Sequence, residues 1–344
     1  MVKGGEPRAE TRAAGVISGL IVLTLLMAIL ALALGRFHVP VKEAVGILLG
    51  GLFPIRPFWT DQMSNVILNI RLPRVLGSLL VGSALALSGA SYQAMFRNPL
   101  VSPDLLGVSS GACVGAAAAI LLHLSAWGIQ ICALAGGLAA VACTVTIPKL
   151  FRTSGALILV LAGVVVSGFM NAILGAFKYI ADPESELASI VFWTMGSLAS
   201  VKKKELLFIA PGIVVSLIGM LLFRWRLNLL ALGDAEARSL GVNVLRLKGL
   251  IILFSTILTA SAICLSGAIG WIGLIIPHLG RMLVGQDNKN LLPASALLGA
   301  LFLTFVDTLA RNLTGSEIPL SIMTGLFGAP IFIWLLVRLG ARFT

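Results

Sequence analysis

Ten stretches of the chain are predominantly apolar, and polar breaks separate them. They run Gly15–Gly35, Arg74–Met95, Leu106–His123, Trp127–Pro148, Gly155–Phe177, Glu205–Phe223, Lys248–Gly267, Ile269–Val284, Leu291–Ala310 and Ile318–Leu339. Most approach the roughly 20 residues that a helix needs to cross a hydrocarbon core. Backbone polar groups in lipid must find partners within their own segment, so each stretch is expected to be a helix. An even number of crossings returns both ends of the chain to one side.

Composition sharpens this. The chain has 344 residues, 58% of them hydrophobic and only 11% charged, and its mean hydropathy is +1.03. That excludes a soluble domain of this length and leaves a polytopic, all-α membrane protein. The 37 glycines suit close helix packing rather than flexible linkers. The first apolar run follows a charged start and resembles a signal peptide. It is too long and has no clear small-residue cleavage site, so it reads as a retained first helix behind a tail at 1–14.

Charge sets the orientation. With the N-terminus inside, 15 of the 25 Lys and Arg residues fall in cytosolic segments and ten outside. The positive-inside rule therefore puts both termini in the cytosol of a multi-pass protein of the cell membrane. The ten outward charges need a reason of their own. Among them Arg71-Leu-Pro-Arg74 opens the second helix and Lys202-Lys-Lys204 precedes the sixth. Such residues either snorkel to headgroups or meet acidic groups on a partner.

Several breaks carry structure of their own. The outer loop 36–73 is too polar to span and predicts an amphipathic or re-entrant piece, with Trp59 at the interface. Arg97-Asn-Pro-Leu-Val-Ser-Pro-Asp104 forbids helix continuation at two prolines, which makes it a connector or the edge of a constriction. Gly107, Gly111 and Gly115 mark close packing of the third helix. Leu187–Ser197 predicts a short outer helix. His278, after Pro277, reads as an interfacial anchor, and Asp307 inside a span demands a partner, with Arg311 one turn away.

One internal match suggests a repeat. Ser83-Ala-Leu-Ala-Leu-Ser-Gly-Ala90 and Ser261-Ala-Ile-Cys-Leu-Ser-Gly-Ala268 agree at six of eight positions. They lie on the second and seventh helices, which run in opposite directions. An inverted-topology repeat gives that relation, and such repeats build transport paths at their interface.

The largest inward polar island is the region 224–248. Asp234 is expected to cap a short helix that includes Ala237 and Arg238, with Leu240 near its end and Gly241 as its stop. A helix of about two turns cannot stand alone in water. It is either a loop helix packed on its own bundle or a knob for a cytosolic partner.

Chemistry is sparse. The four cysteines have no C-x-x-C spacing and the three histidines are scattered, so no metal site or cofactor site is expected. No P-loop motif is present, and no catalytic constellation or nucleic-acid signature emerges.

Taken in order, the motifs resemble a known family. They are Arg71-Leu-Pro-Arg74, Leu87-Ser-Gly-Ala90 with Gln93, Arg97-Asn-Pro-Leu100, Ser102-Pro103, Leu106-Gly107, Leu161-Ala-Gly163 and Trp193 to Leu198. There follow Leu232-Gly233-Asp234 through Ala237, Leu240-Gly-Val242, Gly267-Ala-Ile, Gly273-Leu-Ile-Ile-Pro-His278, Arg281, Asp307, Ala310-Arg311, Glu317-Ile-Pro319 and Gly328-Ala-Pro330. The set is similar to the permease subunits of type II ATP-binding cassette importers for ferric siderophores, haem and cobalamin (FecCD-type). At Pro319-Leu-Ser-Ile the chain departs from the family, which usually has a glycine after the proline.

The resemblance implies a single permease domain over 1–344, with ten helices and an inverted-repeat fold. It implies a homodimer in membrane lipid, two cytosolic ATP-binding subunits that do the hydrolysis, and an extracytoplasmic substrate-binding protein. It makes Arg71, Arg74 and Arg311 docking residues for that binding protein. It makes Asn98 and Leu100 the cytosolic gate, and Gly233, Asp234, Ala237, Arg238, Leu240 and Gly241 the ATPase-coupling stretch, with Ala237 and Leu240 facing the ATPase. The cargo would be a metal chelate moved by alternating access, with no tight site in the membrane. An ion-coupled secondary transporter is the alternative; the absence of a carboxylate chain within the spans argues against it.

Overall fold

A computed structural model describes residues 6–51, 53, 54, 56–150 and 155–340. The charges counted at Lys3, Arg152 and Arg342 lie outside the described residues, as do residues 1–5 of the expected tail. Among the described residues every regular element is helical.

The helices in chain order are α1 (Glu6–Ala33), α2 (Val41–Gly50), α3 (Asp61–Asn65), α4 (Leu72–Phe96), α5 (Val108–Leu121), α6 (Ala126–Leu150), α7 (Ala156–Ile180), α8 (Glu186–Met195), α9 (Lys203–Leu232), α10 (Asp234–Ser239), α11 (Val244–Ser266), α12 (Ile272–Val284), α13 (Asn288–Asn312) and α14 (Leu320–Gly340). A π-helical stretch, Val66–Arg71, joins α3 to α4, and a 3-10 turn, Pro103–Leu106, leads into α5.

Each of the ten apolar stretches coincides in large part with one of these helices. Among the described residues eight helices are long and apolar enough to cross a membrane. The other two, α5 and α12, have 14 and 13 residues, about 20 Å at 1.5 Å per residue, short of the ~30 Å hydrocarbon core. Both follow irregular backbone: the turn 97–107 before α5, and the Gly267–Trp271 stretch before α12. They occupy the same place after α4 and α11, the two helices that carry the matching eight-residue segments.

The bundle is organised around α4. Its most apolar window is 78% buried, against 17% for α7, which separates a central helix from a rim helix. Small residues allow the close approach. A side chain on Gly82 would collide with the Gly299 carbonyl of α13, and one on Gly89 with the Gly273 carbonyl of α12. Hydroxyl pairs tie α4 to α13, Ser78–Thr304 at 2.8 Å, and to α11, Ser88–Thr259 at 3.0 Å. Gly111 and Gly115 abut Gly136 and Cys132 of α6, so that glycine series packs α5 on its own neighbour.

Two boundaries differ from the sequence reading. The segment 36–73, expected as an outer loop with a piece of its own, holds the short helix α2, but its last part, from Asp61, is already helix continuous with α4. Polar residues hid that entry because an apolar window cannot see a helix before it meets lipid. Trp59 lies over Gly46 and Gly50 of α2, edge-on to Phe58 at 4.9 Å, and is partly covered by protein. At the other end α9 runs on to Leu232, so Arg224 and Arg226 belong to a helix rather than to a loop.

Candidate functional site

Three polar centres punctuate the apolar bundle. The first is built where α1, α4 and α13 meet. Arg74 reaches Asp307 through Nε at 3.0 Å and Nη2 at 2.9 Å, and its Nη1 donates to Glu317 at 2.7 Å. This is a planar fork against a carboxylate, with a second carboxylate on the remaining nitrogen. Arg71 donates to the Leu32 and Ala33 carbonyls at 2.7 and 2.8 Å, and Arg311 donates to the Ala31 carbonyl. These carbonyls are the unsatisfied last-turn groups of α1, where the helix dipole also favours a cation.

Two expectations are corrected here. Asp307 takes Arg74 as its partner, not Arg311, which is spent on α1. Nor do Arg71, Arg74 and Arg311 stand free on an outer surface, since they are 4%, 7% and 7% exposed. A guanidinium taken out of water needs acceptors, and each finds them inside the chain: two carboxylates for Arg74, backbone carbonyls for Arg71 and Arg311. The π-helical stretch was invisible in the sequence, and it carries Arg71 at its end. Of the ten cations that the charge count placed outside, those that are exposed are Lys202, Lys203 and Lys204, with Arg36, Lys42 and Arg56.

The second centre is the turn after α4. Arg97 takes a left-handed conformation (φ 51°). Around it the Arg97 N–H bonds to the Ala94 carbonyl at 3.3 Å and the Asn98 N–H to the Gln93 carbonyl at 3.2 Å. That pair of bonds closes a helix end. The Asn98 side-chain oxygen accepts the Leu100 N–H at 2.9 Å, so Asn98 shapes the turn. Leu100 is 57% exposed and leaves its side chain off the bundle.

Gln93 holds this turn in place. Its amide nitrogen donates to the carbonyls of Val101 at 3.1 Å and of Gly273 and Leu274 at 3.3 Å each. Its oxygen accepts from Arg281 Nη2 at 2.7 Å. Arg281 Nη1 donates to His278 Nδ1 at 3.0 Å, and the imidazole stacks on Phe332 of α14 at 6.3 Å. His278 is therefore a buried link, not a headgroup anchor. The i, i+3 spacing of His278 and Arg281 was the available signal, but it did not reveal Gln93 as their common partner. Nearby, Asp104 sits in the 3-10 turn outside the spans. Burial pushes its carboxyl up, and the Ser109 hydroxyl it accepts from pulls it back.

The third centre is α10. Gly233, not Asp234, is its N-cap, because only glycine tolerates the φ of 130° there. Asp234 lies in the first turn and pairs with Lys248 of α11 at 2.6 Å. At the other end the Gly241 N–H bonds to the Arg238 carbonyl at 2.9 Å and the Val242 N–H to the Ala237 carbonyl at 3.0 Å, with Gly241 at φ 79°. Those two bonds form a Schellman stop. The six-residue helix is held by these caps and by one buried contact. Ala237 is fully buried among the core residues that include Leu230, Val244 and Leu247. The expectation that Ala237 faces a partner is corrected: its small side chain seats α10 on its own bundle. Arg238 and Leu240 are exposed, Leu240 at 58%, with Leu245 beside them at 83%.

The family model described as the FecCD transport family matches residues 23–338. The chain belongs to the FecCD transport family. It is 41% identical over 318 residues to the molybdate import system permease MolB of Haemophilus influenzae, covering 92% of this chain and 94% of that one. It is 42% identical over 285 residues to the hemin transport permease HmuU of Yersinia pestis, covering 81% and 85%. It is 39% identical over 277 residues to the vitamin B12 import permease BtuC of Salmonella paratyphi A, covering 78% and 82%. A solved chain, presented as an inward-facing metal-chelate type ABC transporter, superposes with a TM-score of 0.85 at 39% identity, covering 94% of this chain and 99% of that one. The FecCD family match spans all three polar centres.

Proposed function

We propose that this FecCD-family chain is the membrane-spanning permease of an ATP-driven importer for a metal-bearing solute. The named relatives carry molybdate, hemin and vitamin B12, so the class is a chelate, a corrinoid or an oxyanion, with a ferric chelate as the first candidate to assay. The observation that carries the reading is α10. It is a short helix closed by a Schellman stop and tied to α11 by Asp234–Lys248, with Arg238, Leu240 and, on α11, Leu245 exposed in a segment that the charge count places in the cytosol. That is the chemistry of a docking knob for a cytosolic ATPase, in a chain with no nucleotide-binding motif of its own.

The finer reading follows. The short helices α5 and α12 bring the crossings to ten, in an inverted repeat with both termini cytosolic. The single domain pairs with a second copy through rim helices such as α7, where Val164, Val165, Phe169 and Tyr179 are exposed. Two ATPase subunits dock below. A substrate-binding protein docks above, guided by Lys202, Lys203 and Lys204, while the buried arginines brace the platform beneath it. Asn98 and Leu100, on the turn tethered by Gln93, form the inner gate, and access alternates as α10 is driven.

Reconstitution tests the reading. The purified permease should hydrolyse no ATP alone, and should support solute-dependent hydrolysis and uptake once an ATPase subunit and binding protein are added. Uptake driven by an ion gradient with the permease alone would reject it.

A further inference from the structure

We propose that the cleft beside the gate turn is a binding site for an oxyanion of the phosphate class. A cleft of about 410 Å³ opens between the turn, α12 and α14, and its lining includes Pro99, His278, Arg281, Gln286 and Arg338. That volume lies within the usual range for small-ligand sites. No carboxylate lines it, and among the described residues neither Arg281 nor Arg338 takes part in an ion pair.

The lining presents donors. Arg281 uses one N–H on His278 Nδ1 and one on Gln93, which leaves three of its five for a ligand. Because a guanidinium only donates, His278 Nδ1 must be the acceptor, and the neutral ring then carries its proton on Nε2. Arg338 is held over the Trp334 ring at 5.3 Å, which fixes a long side chain without neutralising it. Two cations and the Gln286 amide thus border a space with no acidic counter-group. An anion with several acceptor oxygens satisfies such a set, and a neutral or cationic ligand does not.

The site has a mechanical consequence. Arg281 already holds Gln93, and Gln93 holds Val101 of the turn. An oxyanion bridging Arg281 to Arg338 would tie the turn to α14. Its placement on the cytosolic side rests on the proposed orientation, whereas the anion chemistry does not.

Two sources share this chemistry, a free oxyanion and the phosphodiester of an anionic lipid. The full-length permease is placed in nanodiscs of phosphatidylcholine and titrated calorimetrically with inorganic phosphate at low ionic strength. In parallel, lipid retained by permease from phosphatidylglycerol-containing nanodiscs is counted by native mass spectrometry. Arg338→Gln should weaken whichever binding occurs by about tenfold or more, the scale of charge-assisted hydrogen bonds. Arg226→Gln, an exposed cation of α9, should leave it unchanged. Phosphate heat lost in Arg338→Gln assigns a free oxyanion; retained phosphatidylglycerol lost in that variant, without phosphate heat, assigns a headgroup. If the parent binds neither probe, or Arg338→Gln behaves like Arg226→Gln, the site does not exist. Failure of ATP-driven uptake with anion binding intact would count against the importer reading alone.

Discussion

Asp307→Leu is the substitution that most directly tests the buried Arg74–Asp307–Glu317 cluster. Asp307 is 1% exposed and takes both Nε and Nη2 of Arg74. Removing one member of a buried ion pair typically costs about 3–5 kcal/mol, chiefly because the other charge is left uncompensated. Here Glu317 still accepts from Arg74 Nη1 at 2.7 Å, so the loss should fall at the lower end, about 3 kcal/mol. Arg74→Met should cost a similar amount, since it strands Asp307. The double variant should recover much of the loss, because an apolar pair of similar volume replaces the ion pair, and the coupling should lie within about 0.5–3 kcal/mol. The assay is the thermal midpoint of detergent-solubilised protein followed by size-exclusion fluorescence, read for both singles and the double. The same cycle between Arg311→Met and Asp307→Leu supplies the contrast, because Arg311 donates to the Ala31 carbonyl instead. A larger coupling in the Arg311 cycle than in the Arg74 cycle would refute the partner assignment.

Other outcomes follow from close packing and exposure. Gly89→Leu should abolish a monodisperse peak, because its side chain meets the Gly273 backbone, which cannot move aside as a flexible side chain can; normal elution would contradict the α4–α12 seam. Ala237→Trp should lower the thermal midpoint of the permease alone, by an overpacking cost of about 1–3 kcal/mol, whereas Leu240→Asp should leave that midpoint unchanged and weaken ATPase co-purification. Equal effects of the two on stability would erase the inner and outer faces assigned to α10. Asp104→Asn should raise the midpoint at neutral pH. Burial raises the folded-state pKa of Asp104, so its contribution is favourable below the unfolded pKa and is lost as pH rises. The gain should therefore shrink as the pH falls into the carboxylate range, and a gain that persists there would show a different cause.

Hydropathy made the helices legible because lipid enforces it over long windows. It could not show where α12 begins, since the irregular stretch Gly267–Trp271 before it is as apolar as the helix itself. Likewise it missed the start of the helix at Asp61, where polar residues precede the membrane. The turn at 97–104 and the stop at Gly241 were readable because proline and glycine act locally. Partner choice among charges was not. Asp307 and Arg311 are one turn apart, and only the approach of α4 brings Arg74 closer. Ala237 shows the same gap: a small residue in a short helix is silent about which face it serves until the helix is seated.

In the proposed importer, that seating is how a surface helix would act on a gate. A knob held only by its exposed face would roll under load, whereas α10 is bolted by Ala237 inside the core and by Asp234 to Lys248 of α11. A push on Leu240 is therefore delivered to α11 rather than absorbed in the loop. From there Ser88 of α4 is hydrogen-bonded to Thr259 and to the Ser255 carbonyl of α11, one turn above Gln93 on the same helix. Gln93 contacts both the turn and α12, so α11 cannot shift against α4 without loading the bonds that hold Val101, Gly273 and Arg281. Packed glycine seams do not stretch gradually, which favours discrete rearrangement of this network over continuous bending. Gln93→Ala breaks the chain at its narrowest point. It should leave ATPase docking at α10 intact while lowering the uptake obtained per ATP hydrolysed. Unchanged coupling in that variant would mean that the push reaches the gate by another route.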